Sequence, residues 1–349
     1  MVIGFVTACE QDDTNQEDGD TQIDGDNSID GDDDPDPDAF EMEDLTPHGD
    51  DSVDGDDDPD TAELEEITPD GDMDIESDDA ELLPEEILAM TFNLRTGLGL
   101  DGDNAWNFRR AMVAEVIELQ APAFLGVQEA WDFQIEYIME NVTNYSWVGV
   151  SRSEIDSFDE YCAVFFNTGL FSLVDSDTFW LSDTPDVPAT TFSSNQLVAR
   201  IVTWAALKSR ASGRILYVFN THFDTSNDDQ IPEKSASLLT QKIDEIAGSN
   251  AVIVMGDFNE EVDSDAYRIL TGDMEFEGVS GNLIDPWKSL ELTEEGTFHN
   301  FTGTALHESR IDWILGTENL LPLSGEVLHI EKDGMFPSDH FPVTCTYSW

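Results

Sequence analysis

A strand that reads as buried and ends abruptly in polar residues is the feature that most limits how this chain can fold. Residues 252–261 read VIVMGDFNEE, where an apolar run stops at Gly256 and Asp257 and Asn259 follow. Side chains two positions apart on a strand point to the same side, so these two polar residues are predicted to face one spot. An ionised carboxylate at the end of a buried strand is costly unless a cation or a donor neutralises it. The segment therefore predicts a sheet whose strand ends carry a polar site.

The same arrangement recurs along the chain. The other polar endings are Asn93, Glu129, the set Asn220, His222 and Asp224, and Asp312, and a last motif adds Asp339 and His340. One such ending is ordinary turn chemistry. Six of them, enriched in carboxylate, amide and imidazole groups that can bind a metal or a phosphate, predict that the strand ends meet at one site.

Helical periodicity separates these strands. It predicts helices within the segment 104–122, where Pro122 lies past the end of the helix, and over residues 133–142 and 233–247. The predicted apolar face of that first helix is made by Trp106, Met112, Val113, Val116 and Leu119. Many short strands with a few long helices predict an α/β fold in which two sheets pack face to face with helices outside.

Charge divides the chain into two parts. The sequence has 349 residues, with 14 Lys and Arg against 77 Asp and Glu, and its first basic residue is Arg95. Residues 10–86 hold 36 of the acidic residues, which leaves 41 acidic and 14 basic residues, about −27, for residues 87–349. We predict an acidic disordered linker over 10–86 and one catalytic domain over 87–349, which we expect to be monomeric. A domain of this charge repels polyanions, so a stable nucleic-acid complex is not expected.

The acidic linker contains an internal repeat. SIDGDDDPD at residues 28–36 returns as SVDGDDDPD at 52–60. Clustered carboxylates raise the alternative of Ca²⁺ binding, but no stretch completes a twelve-residue calcium loop with its closing Glu. A self-repelling, extended spacer is the favoured interpretation.

Residues 1–9 suggest that the linker separates the domain from an N-terminal anchor. Val6, Thr7, Ala8 and Cys9 resemble the lipobox of bacterial lipoproteins, in which the Cys is lipidated. The apolar stretch before Cys9 is shorter than a full signal peptide and lacks Lys and Arg, which a start site assigned too late would explain. We expect a lipid anchor at Cys9 that holds the protein at the cell envelope, in the periplasm or on the surface. The alternatives are a secreted protein or a chance apolar N-terminus.

Six short motifs carry a specific resemblance. TFN, GVQEA, NTHFD, GDFN, RIDWIL and SDH occur in the order found in the endonuclease/exonuclease/phosphatase superfamily. WNFRR (106–110) and TFWLSDTP (178–185) resemble a bacterial branch of these hydrolases. The resemblance covers residues 88–349. It implies a deoxyribonuclease I-like four-layer α/β sandwich with the active site at one rim, and a divalent cation, usually Mg²⁺, with Mn²⁺ as the alternative.

The resemblance also implies a role for each matching residue. The implied metal ligands are Glu129, Asn93 and Asp339, and the implied catalytic residues are His222, Asp257, Asn259, Asp312 and His340. Asp257 would accept the proton of the attacking water, while Asn259 and a cationic His340 would hold the phosphate. At Arg95 the apurinic branch has an acid, so a second metal ligand is not carried over to that position.

Three further residues are given predicted roles from their positions in the sequence, independently of the resemblance. Asn220 points in the same direction as His222 along its strand and is predicted to bind substrate. Arg152 lies on a predicted rim loop and either grips a second phosphate or is a solvated loop arginine. Arg200 opens a strand and is predicted to form a structural ion pair.

The sequence thus predicts a divalent-metal-dependent phosphoesterase. A small phosphoester, a sugar phosphate or a lipid head group is the favoured substrate, because the domain has few basic residues with which to bind a polyanion. Two alternatives remain open. One is an extracellular nuclease of the same fold, and the other is a catalytically silent, calcium-responsive surface binding module.

Overall fold

The computed structural model describes residues 85–153, 159–225 and 230–349. Its strands are β1 (Glu86–Asn93), β2 (Phe124–Ala130), β3 (Tyr145–Val148), β4 (Tyr161–Asn167), β5 (Phe171–Trp180), β6 (Ile201–Ser209), β7 (Ile215–His222), β8 (Ala251–Asp257), β9 (Asp312–Gly316), β10 (Leu321–Val327) and β11 (Val343–Ser348). Its α-helices are α1 (Trp106–Gln120), α2 (Asp132–Asn141), α3 (Ile231–Ala247), α4 (Asp265–Thr271) and α5 (Pro286–Leu290). The lipobox, the acidic repeat and Cys9 lie outside the described residues.

The strands form two mixed sheets. The first has the order β10-β11-β1-β2-β4-β3, and the second has the order β5-β6-β7-β8-β9. Each sheet has one parallel pair at its centre, β1 with β2 and β7 with β8. The carboxyl ends of these four strands, β1, β2, β7 and β8, lie at the same rim of the two sheets.

Apolar packing holds the layers together. The inner faces of the two sheets share one core, represented by Phe124, Leu216, Ile253 and Tyr347. Helices α1 and α2 cover the outer face of the first sheet, and α3 and α4 cover that of the second. The predicted four-layer α/β sandwich is confirmed. No helix in the described ranges has the length and apolarity needed to cross a bilayer.

The first predicted helix differs from expectation at one position. Trp106, Val113 and Val116 are buried on the sheet side of α1, but Leu119 is 77% exposed. Helix α1 ends at Gln120, and Ala121 takes a left-handed conformation. Ile117 in the same last turn is fully buried in the core beneath the sheet, so Leu119 is exposed because it lies on the solvent side of the helix.

Candidate active site

A cleft opens where the carboxyl ends of the central strands meet. It encloses about 580 Å³ between the ends of β1, β2, β7 and β8. Asp257, the last residue of β8, pairs across the sheet with Asp312, the first residue of β9. The predicted site residues that line the cleft are Glu129, Arg152, His222, Asp257, Asn259, Asp339 and His340. Residues from both sheets are thus brought together at one rim.

Asp257 lies at the centre of this cluster and is almost fully buried. Its Oδ2 accepts a hydrogen bond of 2.8 Å from Nδ2 of Asn93. The same oxygen lies 3.6 Å from Nε2 of His222 and 3.8 Å from Nε2 of His340. Its Oδ1 accepts from the backbone N–H of Asn259 at 3.0 Å. One carboxylate therefore faces two imidazoles, one at the end of β7 and one in the loop before β11.

The two imidazoles differ in protonation. Burial would lower the pKa of His340, but Asp312 and Asp257 outweigh it and raise that pKa to about 10. Burial, Arg200 and His340 hold the pKa of His222 well below its usual value. Burial and Asp312 raise the pKa of Asp257 to about 7, against the opposing effect of His340. At neutral pH a carboxylate that is close to titrating thus lies between a cationic and a neutral imidazole.

Asp312 orients His340 from behind. Its Oδ2 accepts from Nδ1 of His340 at 2.9 Å and from the hydroxyl of Thr297 at 2.5 Å. A carboxylate only accepts, so the proton of this bond belongs to Nδ1 and Nε2 is the nitrogen presented to the cleft. The ring of Phe298 lies 4.9 Å from that of His340 and forms part of the cleft wall. Thr297 and Phe298 were not predicted, because no polar strand end marks them in the sequence.

Glu129 reaches the cleft through an irregularity in β2. The register with β4 shifts between Val127 and Ala130, and Glu129 takes a positive φ of 56°. A bulge of this kind re-aims a side chain that strict alternation would send elsewhere. The carboxylate accepts from Nδ2 of Asn93 at 3.0 Å and from the backbone N–H of Thr96 at 2.8 Å.

Asn93 links two carboxylates of the site. Its Nδ2 donates to both Glu129 and Asp257, and its Oδ1 accepts from the backbone N–H of Arg95 at 2.9 Å. The reversed amide would place its oxygen against two carboxylates, so the hydrogen bonds fix this orientation. Asn93 is therefore a donor that holds two carboxylates, and the metal-ligand role predicted for it stays a prediction.

A guanidinium lies among the acidic residues of the cleft. Arg95 donates to Asp101 through Nε at 3.2 Å and Nη2 at 3.0 Å. It also lies 3.7 Å from Asp339 and 4.0 Å from Glu129. Burial raises the pKa of Asp339, against the opposing effect of His340. Arg95 thus already neutralises part of the negative charge in the region where metal ligands were predicted.

Arg109 of α1 ties together the two loops that carry these groups. Its guanidinium donates to the carbonyl oxygens of Leu94, Arg95, Asn104 and Pro337, the last three at 2.9, 3.0 and 3.0 Å. The side chain is fully buried, and these carbonyls satisfy its charge without a carboxylate. The WNFRR motif thus serves the site from a distance, through the backbone on either side of it.

Comparison with known sequences agrees with this geometry. The sequence model of the Endonuclease/Exonuclease/phosphatase family matches residues 90–340. The chain belongs to the endonuclease/exonuclease/phosphatase family. Enzymes of this family are generally phosphoesterase hydrolases and typically use a divalent metal.

Solved bacterial members of the family share the fold. A family protein from Bacteroides vulgatus is 31% identical, with a TM-score of 0.68, over 75% of this chain and 98% of that one. The mannosyl-6-phosphatase Bt3783 of Bacteroides thetaiotaomicron is 27% identical, with a TM-score of 0.66, over 75% of this chain and all of that one. An uncharacterized protein of Acanthamoeba polyphaga mimivirus is 29% identical over 168 residues, which span 45% of this chain and 60% of that protein.

The side chains at the rim are suited to a divalent cation, as the family implies. Single ligand atoms of Glu129, His222 and Asp257 lie within 4.8 Å of one another. Asp257, Asp312 and His340 form a second such group, but the hydrogen bond between Asp312 and His340 already occupies part of it. Buried carboxylates whose charge is only partly neutralised suit a hard cation with oxygen ligands.

Asn220, which was predicted to bind substrate, has a structural role instead. Asn220 is fully buried, and its Nδ2 donates to the carbonyl oxygens of Val127 and Ala163, both at 2.9 Å. Its Oδ1 accepts from Gln128 at 2.6 Å. Asn220 points in the same direction as His222 but one layer deeper, where it joins the two sheets. The predicted contact of Asn220 with substrate is corrected accordingly.

Arg152 does lie at the rim of the cleft. Its guanidinium is held by Asp159 at 2.7 Å and by Glu160 at 2.8 Å. Two carboxylates at these distances leave little positive charge for a second phosphate. The predicted ion pair of Arg200 is long, at 3.8 Å from Asp224.

Proposed function

We propose that this chain is a divalent-cation-dependent phosphomonoesterase that acts on a small sugar phosphate. The observation that supports this most directly is the position of Asp257, between a cationic His340 and a neutral His222 and across the cleft from Glu129. A base that titrates near neutrality beside a cationic donor suits water attack on a phosphoryl group.

The side chains divide the reaction between them. Asp257 accepts one proton from the attacking water, whose oxygen forms the new bond to phosphorus as the bond to the sugar oxygen breaks. The departing sugar oxygen takes a proton from solvent water, and Asp257 returns its proton to solvent. His340 presents Nε2–H to a non-bridging oxygen and is kept cationic by Asp312. Asn259 is positioned by a hydrogen bond of 3.0 Å from its Nδ2 to the carbonyl of Phe223. Its amide has a second hydrogen that can reach a phosphate oxygen.

Glu129 and Asp339 are the residues that we propose hold the cation, with Mg²⁺ favoured and Mn²⁺ as the alternative. Carboxylate oxygens are the ligands that Mg²⁺ prefers, and the ion keeps several of its waters. When bound, the cation supplies positive charge to the phosphoryl oxygens.

Two observations support a small substrate. The mannosyl-6-phosphatase Bt3783, whose whole length matches 75% of this chain, acts, by its name, on a sugar phosphate. Residues 87–349 carry about −27, which opposes the approach of a nucleic acid. A nuclease of the same fold is the second candidate.

We further propose that Cys9 anchors the protein in the cell envelope through the acidic linker.

Hydrolysis of four phosphate esters tests the proposed function, measured as phosphate release for the two monoesters, as nitrophenol release for the nitrophenyl diester and on a gel for DNA. Purified protein would be given mannose 6-phosphate, glucose 6-phosphate, bis(p-nitrophenyl) phosphate and duplex DNA in parallel, with Mg²⁺ or with excess EDTA, and the Asp257→Asn variant would serve as the control. We expect release from a hexose phosphate that requires Mg²⁺ and is lost in the variant. Cleavage of DNA without hydrolysis of any monoester would favour the nuclease, and full activity in EDTA would contradict the metal requirement.

A further inference from the structure

Arg200 is a buried cation that has no close hydrogen-bond partner among the residues that the structure describes. Its side chain is 10% exposed, and its Nε has no hydrogen-bond partner among the described residues. The ion pair with Asp224 spans 3.8 Å, which is too long for a hydrogen bond. Buried donors are nearly always paired, and one left unpaired is costly to the fold. An unpaired donor beside a cleft therefore points to a ligand that completes it.

Other arginines near the cleft show the contrast. Arg109 donates to four carbonyl oxygens, and Arg152 lies within 2.8 Å of two carboxylates. Arg95 is held by Asp101 through two nitrogens. Each of these guanidinium groups has close partners within the protein. Among the described residues, the guanidinium of Arg200 makes one ion pair, and that ion pair is long.

The position of Arg200 identifies the ligand. It immediately precedes β6, which pairs with β7, so it lies beside His222 at the end of the neighbouring strand. Arg200 and His222 line the cleft together, and both also border a small void behind it with Glu129. A group bound between Glu129 and His222 would lie within reach of the guanidinium. The planar fork of arginine matches two oxygens of a tetrahedral anion.

We propose that Arg200 is a catalytic residue that donates to non-bridging oxygens of the phosphoryl group bound beside His222. The proposal rests on the phosphoesterase function given above and names a residue that the sequence assigned to a structural ion pair. It explains why the ion pair is loose, since a guanidinium held tightly by Asp224 could not turn to the substrate. It also supplies a fixed cation, which balances part of the negative charge that the phosphoryl group adds among Glu129, Asp257 and Asp339.

The test compares Arg200→Met and Arg200→Lys with Arg214→Met. Arg214 follows the turn at the other end of the β6–β7 pair and has an equally long ion pair, 3.8 Å to Glu85. Binding of inorganic phosphate, the reaction product, would be measured by calorimetry in Mg²⁺, together with kcat/KM on a monoester with one phosphate and on one with a second anionic group. We expect Arg200→Met to weaken phosphate binding by about 10- to 100-fold, the effect of losing hydrogen bonds to a charged group. It should lower kcat/KM on both substrates, Arg200→Lys should restore part of the binding, and Arg214→Met should change neither quantity.

Three results would overturn the proposal. One is unchanged phosphate binding in Arg200→Met, including the case in which only the melting temperature falls. Another is a loss confined to the substrate with a second anionic group, which would place Arg200 at a distal contact. The third is a wild-type protein that binds no phosphate. If the wild-type protein binds phosphate through Arg200 but hydrolyses neither monoester, the proposed function fails while the assignment of Arg200 as a phosphate ligand stands.

Discussion

Replacing Asp312 with Asn should shift the alkaline limb of the pH dependence of turnover, because Asp312 keeps His340 protonated. The structure raises the pKa of His340 to about 10, so its cationic form is present below that pH and is lost above it. A hydrogen bond to a charged group contributes about 1.5–3 kcal/mol, and about 1.4 kcal/mol is a factor of ten in a protonation equilibrium. Asp312→Asn should therefore weaken proton binding by His340 about 10- to 100-fold and move the alkaline limb to roughly pH 8–9.

The measurement is kcat/KM between about pH 6 and 10.5. The wild-type profile should rise through about pH 7 as Asp257 ionises and fall near pH 10 as His340 loses its proton. The control is Thr297→Val, which removes the neutral donor 2.5 Å from the same oxygen of Asp312 but keeps the charge, so its alkaline limb should not fall. Melting temperatures confirm that each variant is folded under assay conditions. An Asp312→Asn enzyme whose alkaline limb stays near that of the wild type would refute the proposed link between Asp312 and the charge of His340.

Four further predictions follow from the same geometry. Asp257→Asn should cut turnover by about 10²–10⁴-fold, the usual contribution of a general base, without lowering the melting temperature; retention of more than about half of the activity would assign water activation elsewhere. Glu129→Gln should raise the Mg²⁺ concentration needed for half-maximal activity, since an amide replaces a charged ligand, and a loss that excess Mg²⁺ does not reduce would argue against a ligand role. Arg95→Gln should tighten Mn²⁺ binding in a calorimetric titration, because it removes a cation 4.0 Å from Glu129, and unchanged affinity would show that the guanidinium does not compete. Cys9→Ser should release the protein from the membrane fraction, and a soluble wild-type protein would contradict the anchor. Deletion of residues 20–82 should leave turnover on a small substrate unchanged, and an inactive deletion variant would contradict the tether.

The polar strand ends were predictable because the information is local. An apolar run that stops at Asp257 or at His222 can be recognised without knowing what lies opposite it in the fold. The fold class was predictable for a similar reason, since short strands alternating with helices leave few ways to cover two sheets.

Strand periodicity was less reliable at the site itself. Asp257 and Asn259 were predicted to share a face of one strand, but β8 ends at Asp257 and Asn259 has a positive φ of 52° in the turn beyond. The two residues still meet at the cleft, through a hydrogen bond from the Asn259 backbone to the Asp257 carboxylate. The same reasoning placed Asn220 beside His222 without showing how far below the rim it lies. Alternation gives the direction of a side chain but not its depth.

The sequence by itself determined which groups are available and in what order, because residue types and their short-range spacing are written in the chain. Only the tertiary structure decided what those groups do. The charge of His340, the neutrality of His222 and the raised pKa of Asp257 depend on burial and on charges that lie far away along the sequence. Likewise, Arg152 is paired with two carboxylates, and Arg200 has a donor without a partner in the described part of the chain, because of neighbours that no motif records. Desolvation and Coulomb interactions depend on distance in space, so the protonation and pairing of these groups are set by the folded chain.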